Sequence, residues 1–309
     1  MSAERPDVMA QVRKRLTALA RERHEDTHWV MTRYARDRLL HRLTQSPHGG
    51  RFVLKGATLF ALWDEDLYRP TRDIDLLAQM PNDVAALEGL FRSVCRVEVE
   101  DDGLQFDPES VAAQRIIEEG QYEGVRVSLR ARLGKAKLFL QVDIGFGDKV
   151  VPDPEVAELP PVLDGLPPVR IAVYPKAAVV AEKFQIAVSM GMPNSRMKDF
   201  YDLFNMAKRC EFDGQQLCDS IRATFETRGT AVPENTPVAL SKEFANDETK
   251  NTQWAAFFRK ADAPMDMAAL SDVVRTVERF LMPPAQAAAR GGPFEKTWEP
   301  GGPWKYEKQ

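Results

Sequence analysis

The chain has 309 residues, 44% of them hydrophobic and 28% charged, and a formal net charge of −4. That length buries a large core, as two domains or as one domain with helical extensions, and the composition is that of an ordinary soluble globular protein. No run reaches the roughly 18 apolar residues a membrane helix needs, the opening MSAERPDVMA is no signal peptide, and the acidic balance excludes indiscriminate nucleic-acid binding while leaving room for a local basic patch.

Residues 8–45 carry apolar positions at helical spacing, with Val12, Leu16 and Leu19 followed by Val30, Tyr34, Leu39 and Leu43. The other faces hold many arginines, among them Arg13, Arg15, Arg33, Arg36, Arg38 and Arg42, which read either as a solvated surface or as a contact for phosphates or a partner. SPHGG breaks this segment. Next come a strand turning into a helix (RFVLKGATLFALW), a strand (RDIDLLAQM), a helix (PNDVAALEGLFRSVC) and two alternating strands (GVRVSLRARL and KAKLFLQVDIGF). The proline-rich VPDPEVAELPPVLDGLPPV reads as a boundary between lobes. Residues 176–282 are mainly helical, and the stretch from Pro283, rich in proline and glycine, reads as irregular and outside the core. The domains expected are thus a helical segment (1–48), an α/β or α+β core (49–165), a helical C-terminal lobe (166–282) and an irregular tail (283–309).

All four histidines fall in the first 50 residues, so histidine-ligated zinc and Ser-His-Asp chemistry are excluded from the main body. The cysteines Cys95, Cys210 and Cys218 do not cluster and fit a reducing cytoplasm. Chemistry in the body must run on carboxylates, lysines and arginines. In RPTRDIDLLAQ, Asp73 and Asp75 share one face of a strand, roughly 6–7 Å apart, while Ile74 and Leu76 pack on the other. Two such carboxylates suit magnesium, which binds through a few carboxylates plus substrate phosphates. The plainer alternative is a pair of surface aspartates salt-bridged to Arg69 or Arg72.

Gly56 stands where a strand hands over to a helix, a geometry that offers backbone N–H groups to phosphate. Asp143, in a second apolar strand, would complete a carboxylate set able to grip both oxygens of a phosphoryl displacement. Asp148 follows the Gly145-Phe146-Gly147 turn and is the weaker candidate. In the helical lobe Val180, Phe184 and Ala187 or Val188 form a buried stripe that leaves Lys176 and Lys183 on another face. Asp199 and Asp202 share a helix face while Phe200, Leu203 and Phe204 look inward. Lys183 either grips a nucleotide's phosphates, oriented by Asp199 or Asp202, or belongs to an ordinary amphipathic helix with Lys–Asp pairs.

Taken in order, KGATLF, RPTRDIDLL, QVDIGFGD and AEKFQIAVSMGMPNSRMKDFYDLF resemble the AbiEii/AbiGii toxin family of nucleotidyltransferases, of the DNA polymerase β-like superfamily, over Arg51 to Met206. The resemblance implies an α+β fold, with a polymerase β-like core of mixed sheet and helices and a mainly helical C-terminal lobe. It implies transfer of an NMP from an NTP onto an acceptor hydroxyl, some relatives using the 3′ end of tRNA, in type IV toxin–antitoxin and abortive-infection systems. The antitoxin of such systems often opposes the toxin without a stable complex.

By the same resemblance Asp73, Asp75 and Asp143 hold Mg2+ or Mn2+, and Asp143 helps deprotonate the attacking hydroxyl. Lys55, Gly56, Ala57 and Thr58 meet the NTP phosphates, Lys183 grips the triphosphate, and Asp199 and Asp202 fill the family's D-x-x-D. The chain departs from the superfamily's Gly-Ser or Gly-Gly at Gly56-Ala57, leaving Thr58 to supply a hydroxyl, and has Ala177 and Ala178 in the region of an acidic residue ahead of A-E-K. Three other readings stay open. They are a sugar-nucleotide transferase using D-x-D for manganese, a non-catalytic nucleotide-binding module, and a nucleotidyltransferase with a protein or small-molecule acceptor.

Overall fold

The structure is a computed structural model, and it describes residues 7–63, 71, 73–118, 122–260 and 268–306. Arg69, Arg72 and the first six residues, on which expectations above rest, lie outside the described residues, as do residues 307–309 of the expected tail. The fold is mixed α+β and divides into two compact units. One comprises residues 1–58, 71–147 and 156–173; the other comprises 59–70, 148–155 and 174–309. Among the described residues no helix is long and apolar enough to cross a membrane.

The first unit is built on a seven-stranded mixed sheet. Its strands are β1 (Phe52–Lys55), β2 (Ile74–Ala78), β3 (Gln105–Glu118), β4 (Tyr122–Leu133), β5 (Ala136–Phe146), β6 (Glu155–Leu159) and β7 (Val169–Val173), in the order β3-β4-β5-β2-β1-β7-β6. β3, β4 and β5 form an antiparallel meander, β2 runs parallel to β5, and β1 is antiparallel to β2 and parallel to β7. Period-two alternation decides the faces. Val125, Val127 and Leu129 of β4 and Leu138, Leu140, Val142 and Ile144 of β5 are all buried. Helix α2 (Thr27–Gln45) packs on β5 and β7, and α4 (Val84–Cys95) packs on β3 and β4. The opposite face of β4 and β5 carries Arg130, Arg132, Lys137 and Phe139, all exposed.

Residues 8–45 form two helices, α1 (Val8–Glu22) and α2, because Asp26 caps α2 by accepting from Trp29 N, while His24 takes positive φ in the break. The arginines of α2 are a correction to the basic-face expectation. Arg38 is 1% exposed and donates to Asp37 and to the Pro167 carbonyl, both at 2.8 Å. Arg42 makes a two-pronged pair with Asp102 at 2.6 and 3.1 Å, and Arg36 donates to the Thr71 carbonyl. These guanidinium groups tie α2 to loops of its own unit instead of meeting solvent. Removing one partner of a buried pair strands the other charge, so Asp102→Ala should cost about 3–5 kcal/mol, read in a urea titration. A cost below about 1 kcal/mol would mean that water reaches Arg42.

The proline-rich stretch does not mark a simple boundary: it supplies β6 and leads into β7, whose Val173 pairs with Leu54 of β1. The meander's first strand, β3, lacks a clean period-two signal in the sequence, because a register shift between Asp107 and Ala112 interrupts its alternation.

The second unit is mainly helical: α3 (Phe60–Trp63), α5 (Lys176–Met190), α6 (Met197–Arg209), α7 (Gly214–Thr227), α8 (Lys242–Asn246), α9 (Glu248–Lys260) and α10 (Leu270–Ala289). A small antiparallel sheet joins β8 (Phe212–Asp213), β9 (Thr297–Trp298) and β10 (Trp304–Lys305). Residues 283–306 are therefore the second correction, since they take regular structure and contribute to the core. α10 continues through Pro283 and Pro284 on an apolar stripe that includes Val277, Phe280, Leu281, Ala285 and Ala288. Pro284 cannot donate to the Phe280 carbonyl, and Trp304 Nε1 donates to that oxygen instead, at 2.9 Å. Trp298, 1% exposed, donates to the Ala207 carbonyl at 2.6 Å and packs against Phe280.

Candidate active site

In the first unit, register assembles a row of charge across four strands. Lys55 of β1 stands opposite Asp75 of β2, Asp75 beside Asp143 of β5, and Asp143 opposite Arg126 of β4. In-register neighbours share a face, so cation, carboxylate, carboxylate and cation follow one another. Asp73 lies one residue ahead of β2, two before Asp75, and with Asp75 adds to the negative field on Arg126. Arg126 donates from Nε and Nη2 to the two oxygens of Asp143, both at 2.7 Å. That hydrogen-bonded carboxylate, reinforced by Asp143, Asp73 and Asp75 charge and opposed by burial, raises the guanidinium's pKa.

Gly56 follows β1 with φ of +76°, leading into a tight 3-10 turn at Ala57–Leu59. A Cβ at Gly56 would collide with Asp75 Oδ2 and stand 2.7 Å from its Cγ. The missing side chain is thus the space that the Asp75 carboxylate fills. Glycine is required here twice over, for the left-handed backbone and for the cradle.

In the second unit, α5 and α6 bring together what the sequence kept apart. Lys183 Nζ pairs with Asp199 at 2.6 Å and Asp202 at 2.9 Å, and Arg196 Nε donates to Asp199 at 2.6 Å. Both carboxylates are only 2% exposed. Burial pushes the Asp199 carboxyl up, but Lys183 and Arg196 outweigh it and hold the group well below the usual carboxylate range. Val180, Phe184, Ala187, Phe200, Leu203 and Phe204 are buried, as their spacing predicts. Lys176 lies over the Trp63 ring at 6.0 Å. Asp148 and Glu182, both half-buried, each lie 3.5 Å from the buried Arg228.

A family model described as nucleotidyl transferase AbiEii toxin, type IV toxin–antitoxin system, matches residues 38–280. The chain belongs to the AbiEii family. Two solved structures from Helicobacter pylori match as well. One is a candidate nucleotidyltransferase, 14% identical with a TM-score of 0.45, covering 82% of this chain and 92% of that one. The other is JHP933, 14% identical with a TM-score of 0.45, covering 84% of this chain and 91% of that one. No curated protein matches. As an AbiEii protein this chain is a nucleotidyltransferase whose substrate is an NTP, in a family of toxins that operate opposite an antitoxin. Nucleotidyltransferases of the superfamily generally depend on a divalent metal.

Among the described residues no three His, Cys, Asp or Glu side chains converge on one ion position, and Asp143 is engaged by Arg126. Asp73 and Asp75 on one face, with Asp75 seated on Gly56, remain a donor set suited to a hard cation that takes further oxygens from phosphate. Oxygen donors of this kind fit a hard divalent cation.

Sequence reasoning missed Arg126. Its signal was present in GVRVSLRARLGKAKLFLQVD, where the two-residue Gly134-Lys135 turn pairs Leu133 with Ala136, and stepping back seven residues on each strand sets Arg126 against Asp143. Ala57 is buried and Thr58 half-buried, so of the two Thr58 is the one with an accessible side chain.

The cradle makes a prediction. Gly56→Ala should cost about 1–2 kcal/mol for the left-handed backbone. It should also turn Asp75 aside and cut transfer on the order of a hundredfold, as an ångström-scale misplacement does. Wild-type kinetics in a folded Gly56→Ala protein would show that Asp75 is not used where it stands.

Proposed function

We propose that the protein transfers a nucleoside monophosphate from an NTP to a hydroxyl of an RNA acceptor, with magnesium or manganese held by Asp73 and Asp75. The observation that carries this reading is the alignment of Asp75 with Asp143 across neighbouring strands, beside Asp73 and over a side-chain-free Gly56. Lys55 and Arg126 flank the row and offset part of its charge, and a bound cation would add to that balance.

In the reaction the acceptor oxygen bonds to the α-phosphorus, the bond to the β-phosphate bridge breaks, pyrophosphate leaves, and the hydroxyl proton passes to a base. A bound metal would supply charge neutralisation at the phosphates and at the attacking oxygen. Lys55 to Thr58 offer an ammonium, backbone N–H groups and a hydroxyl to the phosphates. We assign Lys183, oriented by Asp199 and Asp202, to the triphosphate on the AbiEii pattern. Asp143 is the candidate base or third ligand. It accepts two hydrogen bonds from Arg126, and either role requires it to exchange that partner. Catalysis would then rest on positioning and preorganised charge, with no covalent enzyme intermediate.

The test is label transfer from each α-labelled NTP in turn to total bacterial tRNA, with magnesium and then with a chelator. A labelled RNA band that depends on metal supports the reading and names the nucleotide. Label on protein or on small molecules would replace the acceptor. NTP binding without turnover would favour the non-catalytic module.

A further inference from the structure

The face of β4 and β5 that carries the carboxylate row extends outward from it with a different chemistry. Moving away from Asp143 along β5 come Gln141, Phe139 and Lys137. Their register partners on β4 are Ser128, Arg130 and Arg132, in line with Arg126. Arg130, Arg132 and Lys137 are exposed, and among the described residues none of the three makes an ion pair. By contrast Arg96 and Arg115 pair with Glu109 and Glu123. Asp107, opposite Arg130 on β3, accepts from the backbone N of Glu109.

Phe139 is 56% exposed in the middle of this strip. Two features are unfavourable for a sheet face left in water. A phenylalanine ring stands out of the surface, and Arg132 and Lys137, like charges directly opposite one another, repel. A polyanion with flat, apolar faces removes both costs. Single-stranded nucleic acid has that chemistry: phosphates for the cations, and unpaired bases that stack on an aromatic ring. A duplex keeps its bases stacked inside and cannot use Phe139. Gln141 and Ser128, half-buried beside the ring, can hydrogen-bond base edges or a 2′-hydroxyl. Phe139 precedes Asp143 by four residues, about 13 Å along the strand, so a strand stacked on the ring delivers its end to the carboxylates.

We propose that this open face of β4 and β5 is the acceptor track of the protein, with Phe139 as a stacking platform and Arg130, Arg132 and Lys137 as phosphate contacts for a single-stranded RNA end. As a description of the acceptor it rests on the nucleotidyl-transfer reading above, but its binding test does not need turnover. The full chain, without NTP or metal, is titrated into a fluorescein-labelled single-stranded RNA of about 12 nucleotides, within the span one such platform covers. The same strand annealed as a duplex, and polyglutamate, serve as competitors.

The expected result is preference for the single strand, about tenfold weaker binding by Phe139→Ala, and a salt dependence of log K shallower by about 1.4 in Arg130→Ala/Arg132→Ala. These side chains are exposed, so circular dichroism and NTP binding should match the unaltered protein. Equal binding by the variants, equal binding of duplex, or displacement by polyglutamate as readily as by RNA overturns the proposal, the last marking a general polyanion or protein surface. RNA bound through this face but never labelled would defeat the reaction and leave the track. RNA labelled at the unaltered rate by Phe139→Ala and by the double variant would defeat the track and leave the reaction.

Discussion

Asp75→Ala is expected to lower nucleotidyl transfer by about a thousandfold or more while leaving the protein folded. Magnitude follows from the carboxylate's place in the proposed site. A metal contact at a transferring phosphate is worth several kcal/mol of transition-state stabilisation, and about 4 kcal/mol is a thousandfold in rate. The fold should survive at some cost in stability, since losing Asp75 relieves repulsion from Asp73 and Asp143 but also takes its carboxylate from opposite the buried Lys55. Its Cβ stays in place over Gly56, and the apolar face of β2, with Ile74 and Leu76, is untouched. The assay is initial rate at saturating NTP and metal, beside circular dichroism of both proteins. A folded Asp75→Ala protein that transfers at the unaltered rate ends the metal-site proposal. Asp75→Asn adds a useful comparison, because it keeps the shape above Gly56 and removes only the charge.

The second large effect lies in stability. Asp199→Ala should destabilise the protein by about 3–5 kcal/mol, because it removes a buried carboxylate that both Lys183 and Arg196 contact. In a unit of this size that corresponds to a fall in Tm of about 10 °C.

The acid dependence has a definite sign. The folded carboxyl is held below its unfolded value of 3.8, so its contribution is complete above that value and is lost as pH falls through the lower folded one. The Tm gap between the unaltered protein and Asp199→Asn should therefore hold steady from neutral pH to about pH 5 and narrow on further acidification. A gap independent of pH down to about 2 would show that the charge of Asp199 does not contribute. The same cluster complicates Lys183→Ala, which removes a cation shared by two buried carboxylates and loses stability whatever Lys183 does for NTP. NTP affinity for that variant has to be measured well below its Tm.

Much of the site was legible in one dimension. The D-x-D face, the strand-to-turn glycine and the i,i+3 spacing of Asp199 and Asp202 follow from local periodicity, which backbone geometry imposes on any chain. The interior of α6 could be named from its amphipathic stripe, and so could the strands of the β4–β5 hairpin. Where the reading failed, a distant partner reversed a local signal. The α2 arginines look like a solvated face until Asp102, Thr71 and Pro167 close over them. The two prolines of α10 look like a stop until Trp304 takes the carbonyl that Pro284 leaves behind.

The sequence by itself determined the chemistry available: carboxylates, lysines and arginines in the body, histidines confined to the start, and the family pattern from Arg51 to Met206. Only the tertiary structure decided which of these groups meet. Parallel pairing of β2 with β5 sets Asp75 beside Asp143 across 68 positions of chain, and nothing in either strand's own alternation specifies that register. Local sequence fixes which face a side chain takes, because the pleat repeats every two residues. Its neighbour on that face is chosen by long-range packing, where burying the apolar side of the sheet selects a single alignment of the strands.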